Sequence, residues 1–124
     1  MINVKIIVAT HKEVKMPQDN SLYLPIHVGR DGKADIGFIG DNTGDNISSL
    51  NPYYCELTGL YWAWKNLDYD YLGLVHYRRY FANQSQGYNE NVNMDDVILS
   101  RSNVETLLEK SDIIVPKKRK YYIE

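Results

Sequence analysis

The eleven residues YLGLVHYRRYF, at positions 71–81, decide the fold class of this chain. Their first part, at 71–75, is a short uninterrupted apolar run, which is typical of a strand buried on both faces of a parallel sheet. Similar runs occur at 4–9 (VKIIVA) and at 112–116 (DIIVP). Because parallel strands are joined by crossover connections, the three runs predict an α/β domain with a mainly parallel sheet and crossover helices.

The clearest predicted helix lies between the first two of these strands. Asn51 is a favoured N-cap and Pro52 suits the first turn, so the helix should span about 52–66. Its apolar stripe should be formed by Leu57, Leu60, Tyr61 and Trp64. Trp62 falls outside that stripe, and we expect it either in a second packed layer or against a pocket.

Three further segments have weaker patterns. Ser102-Asn103-Val104-Glu105 has the spacing of a capping box and predicts a second helix at about 103–110. Residues 22–28 (LYLPIHV) are expected to be extended, and Pro25 argues against a central position in the sheet, because proline cannot donate to the ladder. Residues 82–93 (ANQSQGYNENVN) are typical of a polar loop.

Composition excludes several classes of protein. The 124 residues carry 14 basic and 16 acidic side chains, and the resulting net charge of −2 argues against a duplex-DNA-binding domain. The single cysteine, Cys55, excludes an internal disulfide framework and a multi-cysteine metal site, and we expect a buried, inert thiol there. No apolar run reaches the roughly 18 residues that span a bilayer, and the N-terminus lacks a secretory signal. A cytosolic protein is therefore the default expectation.

Polar and cationic side chains follow each of the three predicted strands. They are Thr10-His11-Lys12, His76-Tyr77-Arg78-Arg79 and Lys117-Lys118-Arg119-Lys120. In open α/β sheets ligands bind at the carboxyl ends of the strands, so these clusters predict an anion site, with phosphate as the partner that guanidinium groups match best. The alternative is that the strand ends carry charge for solubility and that the two arginines pair with Asp68 or Asp70.

The alternation of side chains along a strand refines the prediction for the second cluster. If it continues past the strand, His76 and Arg78 face one way, and Tyr77 and Arg79 face the other. One arginine would then reach a ligand while its neighbour holds the loop. The same region is rich in tyrosine, since eight of the 11 tyrosines fall between positions 51 and 90. Tyrosine suits both cores and the walls of polar sites, which directs attention to this part of the chain.

The segment GDNTGDN, at 40–46, is suited either to a metal ion or to a turn. Carboxylates and amides bind hard cations, but the glycine and glutamate positions of an EF-hand are not matched, and no Gly-Lys-Ser/Thr follows to make a P-loop. We expect a turn that shapes one edge of a binding site. His11, His27 and His76 form no close pair at metal-ligand spacing, so they predict no metal site by themselves, and a site shared by the strand-end residues His11 and His76 stays an alternative. His27 is expected to be structural or on the surface.

Six segments resemble one bacterial protein family. They are Ile7 to Lys12, Leu24 to Gly29, Gly40 to Ser48, Asn51 to Asn66, Tyr71 to Phe81 and Val115 to Tyr122, of which GDNTGDN and GLVHYRRYF are the most specific pieces. The family was once described only as a domain of unknown function. Its members sit among capsule, exopolysaccharide and lipopolysaccharide O-antigen biosynthesis proteins and are regarded as glycosyltransferases.

The resemblance implies a Rossmann-like fold of the GT-A type, which binds a nucleotide-diphosphate sugar such as a UDP-hexose. Typical GT-A enzymes place an Asp-x-Asp at a strand end, where it holds Mn²⁺ or Mg²⁺ on the diphosphate. Here that position carries the cluster at 76–79, whereas Asp68-Tyr69-Asp70 precedes the strand. We therefore expect cationic side chains to replace the metal in neutralising the diphosphate, and no metal cofactor.

The same resemblance implies roles for individual residues. The nucleotide-sugar would be bound by Thr10, His11, Asp41, Asp45, Asn46, His76, Arg78 and Arg79, with the three residues of the 40–46 segment either contacting hydroxyl groups or shaping that edge. Lys117, Lys118, Arg119 and Lys120 would steer the donor or meet an anionic acceptor. No residue is assigned to catalysis.

Residues 1–124 are expected to form a single domain, the donor-binding half of such an enzyme, and the sheet to be incomplete because family members are longer. The alternative is a non-catalytic module that binds a nucleotide or glycan or serves assembly, and a phosphoesterase using His76 and Arg78 is a weaker third. The expected partners are a nucleotide-sugar donor and a glycan or lipid-linked glycan acceptor, without nucleic acid. We expect a cytoplasmic protein with peripheral contact at the inner face of the membrane, and self-association into a homo-oligomer.

Overall fold

Four parallel strands form the sheet in the computed structural model, which describes residues 2–83 and 93–116. The strands are β1 (Val4–Thr10), β2 (Tyr23–His27), β3 (Ile39–Gly40) and β4 (Tyr71–His76), in the order β3-β2-β1-β4. The pairings between neighbouring strands are all parallel, which confirms the predicted α/β fold. The four strands therefore end at one side of the sheet, called the carboxyl edge below.

Helical segments flank the sheet on both faces. They are a 3₁₀ turn (Ser48–Leu50), α1 (Asn51–Tyr54), α2 (Leu57–Asn66), α3 (Met94–Val97) and α4 (Arg101–Leu108). Val4, Ile6 and Val8 of β1 point to the core beside α4. Ile7, between them, points to the core beneath α2. The central strand is thus buried on both faces, as its largely apolar run predicted.

The segment 112–116 does not form the predicted third strand. It runs irregularly after α4, with Ile113 77% and Val115 72% exposed, while Ile114 packs on the core. A strand needs a neighbour to satisfy its backbone groups, and among the described residues β4 pairs in the sheet with β1 alone. An apolar run by itself did not reveal whether such a neighbour was present.

β2 is an inner strand, which corrects the expectation that Pro25 keeps this segment out of the centre of the sheet. On one side Val28 donates to the last carbonyl of β1 at 3.0 Å, and on the other side Asp41 donates to the His27 carbonyl at 3.1 Å. Because successive residues of a strand bond to opposite sides, the nitrogen of Pro25 points away from β1. β3 begins only opposite Ile26, so no ladder hydrogen bond is required of Pro25.

The helix predicted at 52–66 is two helices, α1 and α2, separated by a turn at Cys55 and Glu56. Asn51 lies inside the first turn of α1 instead of at its N-cap, and its side-chain amide donates to the Cys55 carbonyl at 2.8 Å. The predicted start of the helix, at Pro52, is therefore one residue late, and the break at Cys55 and Glu56 was not predicted. Neither cysteine nor glutamate is a helix breaker, so composition carried no signal for it.

The buried face of α2 also differs from the predicted stripe. Trp62 is buried in the core, whereas Trp64 is 56% exposed. Gly59 and Ala63 lie on the same buried side, and a Cβ added to Gly59 would lie 2.5 Å from Val28 Cγ1. Small residues let α2 approach the sheet closely, and a stripe chosen by side-chain hydrophobicity overlooks them.

α4 begins two residues earlier than predicted, because Ser100 is its N-cap. The Ser100 hydroxyl accepts from the Asn103 amide at 3.2 Å, and the Asn103 side chain accepts from the Ser100 amide at 2.9 Å. This is a capping box with asparagine at its third position. The short helix α3 before it was not predicted, and of the polar loop at 82–93, residues 84–92 lie outside the described part of the chain.

One buried carboxylate joins the chain segments at the carboxyl edge. Asp41 is fully buried and accepts from the Gly29 and Arg30 amides at 2.9 and 3.1 Å and from the Ser48 and Thr58 hydroxyls at 2.5 and 2.6 Å. Asp41 itself follows β3. Of its donors, Gly29 and Arg30 follow β2, Ser48 begins the 3₁₀ turn, and Thr58 lies in the first turn of α2. This single side chain therefore holds the ends of two strands and the start of a helix in register.

The remainder of the 41–46 segment runs along α2. Three donors spaced four residues apart on the helix serve alternate residues of the segment: Thr58 to Asp41, Trp62 to Thr43 and Asn66 to Asp45. The indole nitrogen lies 2.9 Å from the Thr43 hydroxyl, and the Asn66 amide nitrogen lies 2.8 Å from the Asp45 carbonyl. We call these three bonds the α2 ladder.

Replacing Asp41 by alanine should lower the free energy of unfolding by on the order of 3 kcal/mol, because four donors near or within the core lose their acceptor. Urea denaturation followed by circular dichroism would measure it. Asp45→Ala is the matched control, since Asp45 is exposed and its side chain accepts only from the Tyr61 hydroxyl, at 2.9 Å, among the described residues. Asp45→Ala should lower the free energy of unfolding by only about 0.5 kcal/mol. Equal losses in the two variants would contradict a central role for Asp41.

Candidate functional site

The strand order places a crevice between the ends of β1 and β4. The chain passes from β1 outward to β2 and β3 and then returns to add β4 on the other side of β1. In open parallel sheets ligands bind at such a switch point, outside the carboxyl ends of the strands. The residues that follow the two strands here are His11 and Lys12 after β1 and Tyr77 to Arg79 after β4.

The His76 to Arg79 cluster forms a tight turn, so the strand alternation expected for it does not continue. β4 ends at His76, and the Arg79 amide donates back to the His76 carbonyl at 2.8 Å. The Arg78 amide donates to His76 Nδ1 at 3.2 Å, so the neutral ring carries its proton on Nε2. Burial, followed by the charge of Arg78, lowers the pKa of His76. His76 is therefore a neutral N–H donor at neutral pH, and it shares the turn with Arg78 and Arg79.

Tyr77 is the centre of the cluster, a role that the sequence did not predict. Its amide donates to the Ala9 carbonyl at 3.1 Å and so extends the contact between β4 and β1. The side chains around its ring are those of His11 (5.5 Å between ring centroids), His76 (4.4 Å between ring centroids), Lys12 (Nζ 5.3 Å from the centroid) and Arg78 (Cζ 5.4 Å from the centroid). All four of these side chains were predicted at the strand ends. The crowding of tyrosine in this part of the sequence was the available signal for the ring that they surround.

Neither arginine is neutralised by a carboxylate within the described residues. Arg78 and Arg79 are exposed and take part in no ion pair there, and the ion pair found in that part of the chain joins Arg101 to Asp19. Asp70 accepts from the Asn3 amide at 2.7 Å, at the beginning of β4. The six residues of β4 separate Asp68 and Asp70 from the arginines by roughly 20 Å. The alternative that the arginines pair with these two aspartates is therefore wrong.

Three adjoining cavities form a groove along the carboxyl edge. A cavity of about 750 Å³ is lined by His76, Arg78, Arg79 and Glu56, among others. A second, of about 200 Å³, shares His76 and Glu56 with it and adds His11. A third, of about 440 Å³, shares His11 with the second. The three together are called the carboxyl-edge groove, and the crevice between β1 and β4 lies within it.

The structure divides the predicted donor-binding residues into two sets. Thr10, His11, His76, Arg78 and Arg79 line the groove, whereas Asp41, Asp45 and Asn46 line none of its three cavities. Thr10 is buried, and its hydroxyl donates to the Lys12 carbonyl at 2.7 Å, which turns the chain at the end of β1. Thr10 therefore positions His11 and Lys12 from beneath.

The three residues predicted from the 40–46 segment have no open face toward the groove. The Asp41 carboxylate is occupied by its four donors inside the protein. Asp45 is carried along α2 toward Asn66, near the opposite end of the sheet. Asn46 bonds to the Gly44 carbonyl at 2.9 Å and to the Ser48 amide at 3.2 Å. Of the three, Asp41 holds the backbone at the carboxyl edge, and the roles expected for Asp45 and Asn46 stay predictions.

Three further expectations concern the basic segment at 117–120, a metal site and a membrane span. Lys117 to Lys120 lie outside the described residues. Among the described residues, no group of three or more histidine, cysteine, aspartate or glutamate side chains is arranged to hold a metal ion. Within that same part of the chain no helix has the length and apolarity needed to cross a bilayer.

His27 is structural, one of the two roles expected for it. It ends β2, is 3% exposed, and its Nδ1 has no hydrogen-bond partner among the described residues. Burial, followed by the nearby Arg30, lowers the pKa of its imidazole. The ring is therefore packed in its neutral form.

Cys55 is exposed, which corrects the expectation of a buried thiol, and its backbone is strained. Its φ of 54° and ψ of −130° lie in a region that glycine adopts readily and other residues rarely do. The Cys55 carbonyl accepts from Asn51 Nδ2 at 2.8 Å and from the Thr58 amide at 3.2 Å. Because Thr58 also donates to Asp41, the strained turn is anchored to the buried carboxylate.

Comparison with known proteins identifies two similarities. The model of the family described as "Domain of unknown function (DUF4422)" matches residues 5–124. Among solved structures, one described as "WbbM bifunctional glycosytransferase apo structure" is 41% identical, with a TM-score of 0.60 over 71% of this chain. The match covers 16% of that other chain, so this chain spans only a small part of its length. The comparison with curated proteins found no match.

The strain at Cys55 predicts an unusual stabilising substitution. Cys55→Gly should raise the free energy of unfolding by about 1 kcal/mol, because glycine adopts the observed backbone without steric cost. Cys55→Ala is the control, since it removes the thiol and keeps the strain, and its stability should match that of the wild type. Urea denaturation of the three proteins would measure the difference. A glycine variant less stable than the alanine variant would contradict the strain.

The buried neutral imidazole of His27 predicts loss of stability in mild acid. The folded pKa is below the unfolded value of about 6.5, so the unfolded chain binds the extra proton. The free energy of unfolding should therefore be highest above pH 6.5 and fall below it, by at most about 1.4 kcal/mol per pH unit for this group. Urea denaturation between pH 7.5 and 5 would show it. His27→Gln should flatten the slope, and an unchanged slope would contradict the assignment.

Proposed function

This chain belongs to the family described as "Domain of unknown function (DUF4422)", and on that premise we propose that it is the nucleotide-sugar-binding part of a glycosyltransferase. The likeness to a solved glycosyltransferase, at 41% identity, supports the class of reaction. The donor would be a nucleotide-diphosphate sugar such as a UDP-hexose. Its diphosphate would lie in the crevice between β1 and β4.

One observation supports this assignment above the others: cations gather at a crevice where no carboxylate of the described residues forms an ion pair with them. Arg78 and Arg79 are exposed, and Lys12 and Arg78 both approach the Tyr77 ring. Like charges placed close together repel one another and so destabilise the unliganded protein. A bound anion offsets this repulsion. A diphosphate leaving group carries the charge and the oxygen geometry that guanidinium groups match.

The residues at the end of β4 do not suit a divalent metal ion. The position where a GT-A enzyme would carry Asp-x-Asp holds His76, Tyr77, Arg78 and Arg79. Asp68-Tyr69-Asp70 precedes β4 and lies at the opposite end of the strand. Two guanidinium groups repel a cation, so we assign neutralisation of the leaving group to Arg78 and Arg79, with His76 Nε2–H as a further donor.

The acceptor and the pathway are inferred from the resemblance to polysaccharide-synthesis proteins alone. The acceptor would be a glycan or lipid-linked glycan, and the reaction would take place in the cytoplasm. A bound nucleotide without sugar transfer would instead identify a non-catalytic binding module, the alternative weighed from the sequence.

Isothermal titration with UDP, in the absence of metal, is the direct test of the donor site. The wild type should bind UDP, and Arg78→Ala should weaken binding by about 2 kcal/mol, or roughly 30-fold, because a charge-assisted contact to phosphate is lost. Uridine, which lacks the diphosphate, should show no difference between the two proteins. UDP-glucose and UDP-galactose, tested in the same way, would compare the two candidate sugars.

Arg101→Ala is the matched control for this titration, since Arg101 lies on α4 and pairs with Asp19 at 3.8 Å. Its UDP affinity should equal that of the wild type. Binding that appears only when Mn²⁺ is added would overturn the assignment of the arginines as the neutralising groups. An equal loss in Arg78→Ala and Arg101→Ala would show that the arginine contributes only general charge.

A further inference from the structure

One carboxylate lines the carboxyl-edge groove within the described residues, and neither the sequence pattern nor the proposed donor contacts account for it. Glu56 borders both the 750 Å³ cavity and the 200 Å³ cavity. His76 is the other ionisable side chain shared by these two cavities. Glu56 therefore lies where the two cavities join, facing the end of β4.

The Glu56 carboxylate is not used to hold the fold together. Its side chain is exposed and makes no hydrogen bond or ion pair with any described residue. By contrast, Asp41, Asp19 and Asp70 each accept hydrogen bonds from backbone amides. Within the described residues this carboxylate has no hydrogen bond or ion pair, and its two cavities are also lined by His11, His76, Arg78 and Arg79, so it is available to a ligand.

The backbone places Glu56 at this position through the strained turn at Cys55. That turn interrupts a segment whose sequence is otherwise compatible with one continuous helix, and it is anchored by Asn51 and by the first turn of α2. Strain of this kind persists only where surrounding contacts over-determine the conformation, and it is concentrated at functional sites. Holding Glu56 at the junction of the two cavities is the evident result of the turn.

We propose that Glu56 is the general base of the reaction, a role that rests on the glycosyltransferase function proposed above. The carboxylate takes the proton of the attacking hydroxyl as that oxygen forms a bond to the anomeric carbon of the donor sugar. The bond from the same carbon to the diphosphate oxygen breaks, and its electron pair leaves with the diphosphate, beside Arg78 and Arg79. The attack comes from the side opposite the leaving group, so the configuration of the sugar is inverted.

Hydrolysis of UDP-glucose and UDP-galactose, with water as the simplest acceptor, gives a direct readout through release of UDP. Glu56→Gln should bind UDP within about twofold of the wild type and should release UDP from the sugar nucleotide at least about 100-fold more slowly. Added formate should restore part of the rate to Glu56→Ala, because it can accept the proton in place of the missing carboxylate.

Glu109→Gln is the matched control, because Glu109 is an exposed carboxylate at the end of α4 and should leave every quantity unchanged. Undiminished release of UDP by Glu56→Gln would overturn the proposal, as would wild-type protein that binds UDP and releases none from either sugar nucleotide. Loss of UDP affinity in Glu56→Gln would make it a donor contact and would also overturn it. Failure of the wild type to bind UDP would instead overturn the proposed function, and this inference with it.

Discussion

The buried carboxylate of Asp41 is the constraint on which the carboxyl edge depends. It follows the two-residue strand β3, which is too short to be held by its own ladder, and it binds the backbone that leaves β2. Through Thr58 it also fixes the start of α2 and, one step further, the turn at Cys55. Since a buried charge without partners would be prohibitively costly, the four donors and the carboxylate form together or not at all. The geometry of the groove is therefore set from behind by a group that no ligand touches.

The side of the groove that carries the cations is less rigidly held than the side fixed by Asp41. Its cationic side chains lie on exposed residues around the Tyr77 ring, and they are held by ring contacts and two short turns instead of by salt bridges. The Thr10 hydroxyl makes one of these turns, and the Arg79 amide makes the other. Within the described residues no carboxylate forms an ion pair with the two arginines, so they remain able to follow a ligand. A rigid rear and an adaptable front suit a site in which a charged group is bound and then released.

The features that could be predicted from the sequence are those that depend on local pattern. β1 and β4 and the convergence of their ends followed from uninterrupted apolar runs and from the polar residues after them. The register of α2 could not be predicted, because its buried face is defined by Gly59 and Ala63, which fit closely against the sheet and have little hydrophobic signal of their own. The role of Glu56 was hidden for a related reason, since a strained turn at an ordinary cysteine has no signature in composition. Both features that could not be predicted depend on contacts between segments that are distant along the chain.

The α2 ladder bears on how proteins of this kind should be classified. GDNTGDN is the most motif-like stretch of the chain, yet its alternate residues are bound to side chains of α2 and line none of the cavities of the carboxyl-edge groove. Substitution at Thr43 is therefore coupled to Trp62, and substitution at Asp41 to Thr58, so that these positions should change in pairs in the course of divergence. A sequence search built on this stretch would collect proteins that share an architecture, whatever sugar they handle. Differences in chemistry among such relatives should be sought instead in the residues that follow β1 and β4.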